Sequence, residues 1–159
     1  MRAAVMRDAR LVVEDIATPE PGSGEVLVKT LACGICGSDL HALKHIEIFA
    51  ESAREADPDA PVFQMDPQKD LVMGHEFCAE ILDHGPDTAK TLKPGTRICS
   101  VPITLRQGSV CSIGYSNDVP GGYAENMVLF EPLLLPVPNG LSSEYAALTE
   151  PMAAGRHAA

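Results

Sequence analysis

The first third of the chain reads as β, in short apolar runs and one alternating segment. Residues 3–6 and 11–16 are short apolar runs separated by the polar Arg7-Asp8-Ala9-Arg10, which predicts a hairpin. The run Thr18-Pro19-Glu20-Pro21-Gly22-Ser23-Gly24 punctuates the pattern as a loop. Residues 25–32 (EVLVKTLA) then alternate in the manner of a half-buried strand.

From Ser38 the period changes. Leu40, Leu43, Ile46 and Phe49 recur every three residues, which predicts a short helix capped by Ser38 or Asp39. Residues 51–70 are acidic, contain proline and lack any period, so they read as a surface excursion. Strand character returns over residues 71–83 and again over 96–101, 123–130 and 133–137, with Pro94-Gly95, Gly121-Gly122 and Pro138-Asn139-Gly140 as the turns between. The alanine-rich end from Ser142 reads as a helix interrupted at Pro151. Many short strands joined by Gly/Pro turns predict a mainly β fold of barrel or sandwich type. No G-x-G-x-x-G occurs, and no strand–helix alternation that could carry one. The residues given, 1–159, are therefore expected to form one domain without a dinucleotide fold.

Composition narrows the function classes. The chain has 159 residues, 45% of them hydrophobic, enough for one domain with a real core. No apolar run is long enough to span a membrane, and the N-terminus lacks the apolar segment of a signal peptide, so no membrane is expected as a partner and cytoplasmic residence is the default. A net charge of −10 and the absence of a basic cluster weigh against nucleic acid as a partner. The five cysteines are odd in number and irregularly spaced, which favours thiols or metal ligands over a disulfide framework.

Three constellations can carry chemistry. Cys33-Gly34-Ile35-Cys36 leads into Ser38, Asp39 and His41; Gly74 precedes His75-Glu76; and Glu150-Pro151 interrupts an apolar segment. Each alone has an ordinary structural reading: packing cysteines, a structural histidine, and a helix-end carboxylate. Together they supply Cys36, His75 and one or both of Glu76 and Glu150, the three-ligand set that leaves a catalytic zinc an open position. Adjacent side chains on a regular strand point to opposite faces, so His75 and Glu76 converge only if the backbone is irregular, which Gly74 permits.

In this order and at these separations, CGICGSDLH, GHEFCAEI, LKPGTRI, PGGYAEN and EPMAAGRHA resemble the medium-chain zinc alcohol dehydrogenases. Glu150-Pro151 is closer to the polyol and threonine branch than to the alcohol branch. The resemblance implies a GroES-like distorted β-barrel with a few short helices, the zinc-binding catalytic part of such an enzyme. It makes Cys36 and His75 zinc ligands, Glu76 a direct or outlying ligand, and Glu150 a carboxylate that binds zinc or its water. It makes Asp39 the carboxylate that orients the ligand histidine, and Ser38 and His41 the hydroxyl and imidazole of a proton relay.

The implied reaction is oxidation of an alcohol or polyol to a carbonyl, with zinc as Lewis acid and hydride passing to NAD or NADP. The cofactor would be held by a domain outside these residues, and these residues alone are expected not to turn over. A homo-oligomer is compatible with the family. Cys99 and Cys111, twelve positions apart, do not match the four-cysteine lobe that holds a structural zinc in many members, so no second zinc is expected. The alternatives are a non-catalytic zinc-binding or interaction module of the same fold, and a metal-free quinone reductase, which would lack the Cys36/His75 pair.

Overall fold

A computed structural model describes residues 1–56, 65–106 and 108–158. Strands β1 (Arg2–Arg7) and β2 (Arg10–Asp15) form the expected hairpin, with Arg7 opposite Arg10. Its two-residue turn places both Asp8 and Ala9 at positive φ, 49° and 57°, the backbone that matches the twist of paired strands. Arg7 ties the hairpin to the segment that leads into Leu71 by binding Glu14 and Asp70 together.

The centre of the molecule is a five-stranded antiparallel sheet in the order β8–β3–β4–β5–β9, built from β3 (Glu25–Cys33), β4 (Phe77–His84), β5 (Arg97–Ser100), β8 (Asn126–Phe130) and β9 (Leu134–Pro136). Register shifts in the β3–β4 ladder at Leu27/Val28 and Thr30/Ala32 bend the sheet. Val26, Val28, Phe77, Ala79, Ile81, Ile98, Met127 and Leu129 pack into one core on it. A short hairpin, β6 (Ile103–Arg106) and β7 (Ser109–Ser112), is anchored to the sheet through a buried carboxylate. Glu25 on β3 accepts from Thr104 Oγ1 at 2.6 Å, from Arg106 Nη2 at 3.0 Å and from the Gly22 N–H at 2.8 Å. The fold is mainly β, as the sequence predicts.

Helix α1 (Gly37–Ala56) follows β3 and bends at His45, whose φ and ψ of −140° and 42° are not helical. Its buried face is Ala42, Leu43, Ile46, Phe49 and Ala50, packed on Met6, Leu71, Met73 and Tyr115. Leu40, counted on that face by period three, is instead 53% exposed, because a helix of 3.6 residues per turn carries it off the stripe. The helix also continues to Ala56, beyond the expected start of the surface excursion at residue 51. Residues 57–64 of that excursion lie outside the described residues.

Two further boundaries differ from expectation. The strand expected over 71–83 begins only at Phe77, since Leu71 makes an isolated bridge to Met6 and the backbone reverses at Gly74. The strand expected from 123 begins at Asn126. At the chain's end, α2 (Ser143–Ala147) is capped by the Ser142 side chain and followed by α3 (Thr149–His157). The break falls at Leu148 rather than at Pro151, because proline lacks the N–H that would bind the carbonyl four residues earlier. Pro151 itself sits in the first turn of α3, where no N–H is needed. No helix among the described residues is long and apolar enough to cross a membrane.

Candidate metal centre

The site forms where β3 hands over to α1 and where the 71–76 segment enters β4. Helix α1 starts at Gly37, so Cys36 precedes its first turn and Asp39 occupies the third helical position. There the Asp39 carboxylate reaches back and accepts the Cys36 N–H at 2.9 Å, the return half of a capping box. This corrects the expected cap by one short step: the helix starts two residues before Asp39, and the carboxylate serves the residue ahead of it.

Gly74 has φ +98°, and a side chain there would meet Tyr123 and Cys33 within 3 Å. The backbone irregularity that brings His75 and Glu76 to one side thus depends on a residue without a Cβ. As a result one donor atom each of Cys36, His75 and Glu76 lies within 4.8 Å of the others. His75 and Glu76 are both 8% exposed. Gly34 makes room for Glu76, since a Cβ on Gly34 would collide with the Glu76 carboxylate, while the Gly34 N–H donates to the Glu76 carbonyl at 2.7 Å.

Asp39 is the hub behind these donors. Its Oδ2 accepts the Cys36 N–H and the Tyr123 hydroxyl, each at 2.9 Å; its Oδ1 faces the Tyr115 hydroxyl at 3.0 Å and His75 Nδ1 at 3.5 Å. The 3.5 Å contact is an ion-pair distance rather than a closed hydrogen bond, and His75 Nδ1 has no other partner among the described residues. Burial resists charge on both groups. Asp39 nevertheless stays below the ordinary carboxylate range, held by the His75 ring, the Cys36 N–H and Tyr123. Burial likewise disfavours the imidazolium, but Asp39 and then Cys36 outweigh it and push His75 up to about 9.

This pair makes the metal-free protein pH-sensitive. The raised His75 adds stability that is complete below the ordinary imidazole value of 6.5 and is lost as pH rises through about 9. The lowered Asp39 adds stability above 3.8 that is lost as pH falls through its depressed value. Thermal melts in chelator should therefore give their highest midpoint between 3.8 and 6.5 and a falling one toward alkaline pH; a midpoint unchanged through pH 9 would contradict the His75–Asp39 coupling.

The remaining expected residues are placed as follows. Ser38 is half-buried, 2.9 Å from the Tyr115 hydroxyl oxygen. His41 is exposed, its ring 5.2 Å from that of His45 and 6.3 Å from that of Phe49, with no hydrogen bond to Ser38 among the described residues. Glu150 is half-buried in α3 and is not among the three clustered donors. Cys33 does not join Cys36: its sulfur packs against Gly74 and Gly122, and burial raises its thiol to about 12, with Asp39 and Glu76 adding to the effect. Cys99 lies on β5, where its thiol donates to the Ala146 carbonyl at 3.1 Å, and Cys111 lies on β7. Sequence reasoning missed Tyr115 and Tyr123. Tyr123 lies in the quoted PGGYAEN, but neither tyrosine carries a pattern that marks it as a partner of Asp39.

Residues 22–139 match the family model described as the alcohol dehydrogenase GroES-like domain. Sorbitol dehydrogenase of Bacillus subtilis (strain 168) is 30% identical over 172 residues, an alignment that covers 100% of this chain and 44% of that protein. (R,R)-butanediol dehydrogenase of the same organism is 31% identical over 154 residues, covering 92% of this chain and 42% of its own length. The chain thus spans less than half the length of these relatives. Among solved structures, 2R,3R-butanediol dehydrogenase from Bacillus subtilis superposes with a TM-score of 0.73 at 30% identity, over 94% of this chain and 44% of that one. A protein from Sinorhizobium meliloti 1021, described as a zinc-binding dehydrogenase and bound to NADP, superposes with a TM-score of 0.75 at 27% identity, over 98% and 44%. The chain belongs to the alcohol dehydrogenase GroES-like domain family.

Proposed function

We propose that this chain is the zinc-binding catalytic unit of a medium-chain alcohol or polyol dehydrogenase that passes hydride from its substrate to NAD or NADP. One observation carries the reading: a thiol, an imidazole and a carboxylate converge within 4.8 Å at a buried site on a fold of this family. Tetrahedral zinc with ligands at 2.0–2.3 Å separates its donor atoms by roughly 3.5 Å, so the set needs only a small closure to fit. The donor chemistry also fits. A His75 proton turned toward Asp39 leaves Nε2 as the metal-binding lone pair, the usual carboxylate–histidine arrangement.

Zinc bound there supplies Lewis-acid polarisation of an alcohol oxygen. The chain's own residues do the rest. Cys36, His75 and Glu76 hold the ion, and Glu150 is the fourth candidate donor, reached from α3. Asp39 fixes the imidazole, Ser38 takes the substrate's hydroxyl proton as it releases its own, and that proton reaches solvent by way of water and His41, exposed on the next turn of α1. The named dehydrogenase relatives favour this reading over a non-catalytic module.

The test is metal stoichiometry and its dependence on the two carboxylates. Metal-replete protein should bind zinc at about one per chain, read by elemental analysis. Gly34→Ala should displace the Glu76 carboxylate and weaken zinc by about tenfold or more, while Glu150→Ala reports on the other carboxylate directly. If neither substitution moves the affinity, the carboxylate part of the assignment fails. A ratio near two would reveal a site that the present reading does not include.

A further inference from the structure

Tyr115 sits just past β7, far from Ser38 and Asp39 in sequence, yet its phenol oxygen lies 2.9 Å from Ser38 Oγ and 3.0 Å from Asp39 Oδ1. Tyr115 is 4% exposed and Asp39 2%, so water competes little for these contacts. The ring is held on two sides, stacked on Phe49 with centroids 5.1 Å apart and standing 5.3 Å from the His75 ring.

A phenol has one proton, and here two oxygens are within reach of it. The Asp39 carboxylate offers only lone pairs, and every group around it is a donor: the Cys36 N–H, the Tyr123 hydroxyl and the His75 ring. Its contact with Tyr115 closes only if the phenol proton points at it. The contact between Tyr115 and Ser38 must then be closed by the serine's own proton.

We infer that Tyr115 is a positioning residue that fixes the polarity of the Ser38 hydroxyl, accepting a hydrogen bond from it and so leaving the serine lone pairs turned toward the hydroxyl of an alcohol. An unanchored hydroxyl rotates and offers its lone pairs to the substrate only part of the time. The chain Ser38→Tyr115→Asp39 ends on a buried carboxylate, and each donation makes the oxygen before it a better acceptor. The benefit to catalysis rests on the proposed role of Ser38, whereas the direction of the hydrogen bonds does not.

Ultraviolet resonance Raman spectroscopy tests that direction, because the tyrosine ring doublet distinguishes a phenol that donates from one that accepts. The chain has three tyrosines, and of these Tyr115 is the one bonded to Ser38, so a difference spectrum of Ser38→Ala against the parent isolates it. Alanine is well tolerated in a helix, so the variant keeps α1. The expected result is a shift toward a donor-only phenol in Ser38→Ala and none in Ser38→Thr, which restores the hydroxyl. A shift away from donor character in Ser38→Ala, no shift at all, or an equal shift in Ser38→Thr would overturn the inference.

The spectra require neither metal nor cofactor. Donor-only spectra in a protein that fails to bind zinc would count against the dehydrogenase reading alone. Zinc binding with unchanged spectra would count against the tyrosine alone.

Discussion

Replacing Cys36 with alanine is expected to weaken zinc binding by more than about 100-fold, measured by competition with a chromophoric chelator. Losing a residue that merely supports a ligand already costs about 10- to 100-fold in metal affinity, and a direct ligand costs more. Of the three clustered donors the thiolate is the softest and gives zinc the most charge. Its loss leaves an imidazole and carboxylates alone, a set that holds zinc far less tightly than one with a thiolate. The fold should survive the change, because the Cys36 backbone N–H still donates to Asp39 and keeps the start of α1 in place. Cys33→Ala is the control: that thiol packs between Gly74 and Gly122, so its removal should cost stability and leave zinc affinity nearly unchanged. Equal losses from both substitutions would mean that the wrong cysteine has been assigned.

The sequence made the strands and the donors legible for different reasons. Alternating apolar residues over 25–32 could bury one face only as a strand, and the structure places that strand inside the sheet, between β8 and β4. The hairpin turn was visible because Arg7-Asp8-Ala9-Arg10 separated two apolar runs, although nothing in Asp8 and Ala9 announced two positive φ angles. Cys36, His75 and Glu76 were legible as a group because a metal site needs those residue types, and Gly74 marked where the backbone could bend. What stayed hidden was decided by tertiary contact. Leu40 fits a period of three as well as its neighbours do, and only the packed helix shows that Ala42 and Ala50 occupy the buried stripe instead. The β6–β7 hairpin lacks a strong apolar period and is anchored by polar bonds to Glu25, which no local pattern signals. Tyr115 reaches Asp39 across 76 positions of sequence, and a lone tyrosine in a turn carries no mark of its partner.

Asp39→Asn is expected to damage both stability and zinc binding, and the two losses have separable causes. The amide has nearly the shape of the carboxylate but exchanges one lone-pair oxygen for an NH2. Each oxygen of Asp39 faces two donors: the Cys36 N–H and the Tyr123 hydroxyl on one side, the Tyr115 hydroxyl and His75 Nδ1 on the other. Whichever way the amide turns, its NH2 meets donors. A phenol can rotate to accept instead, but neither a backbone N–H nor a protonated ring nitrogen can. Hydrogen bonds to a charged acceptor are worth about 1.5–3 kcal/mol each, so the net loss should be about 2–4 kcal/mol. For a chain of this length that is a fall in melting midpoint of about 5–15 °C. The alkaline decline in stability should also flatten, since His75 no longer has a carboxylate to hold its proton. Zinc affinity should fall about 10- to 100-fold, because the imidazole loses the group that sets its orientation and basicity. Tyr123→Phe separates the causes: it removes one donor from Asp39 and leaves the His75 contact intact, so it should lower the midpoint while sparing most of the zinc affinity. Full zinc affinity in Asp39→Asn would show that packing alone orients His75, and the carboxylate would then have no role at the metal.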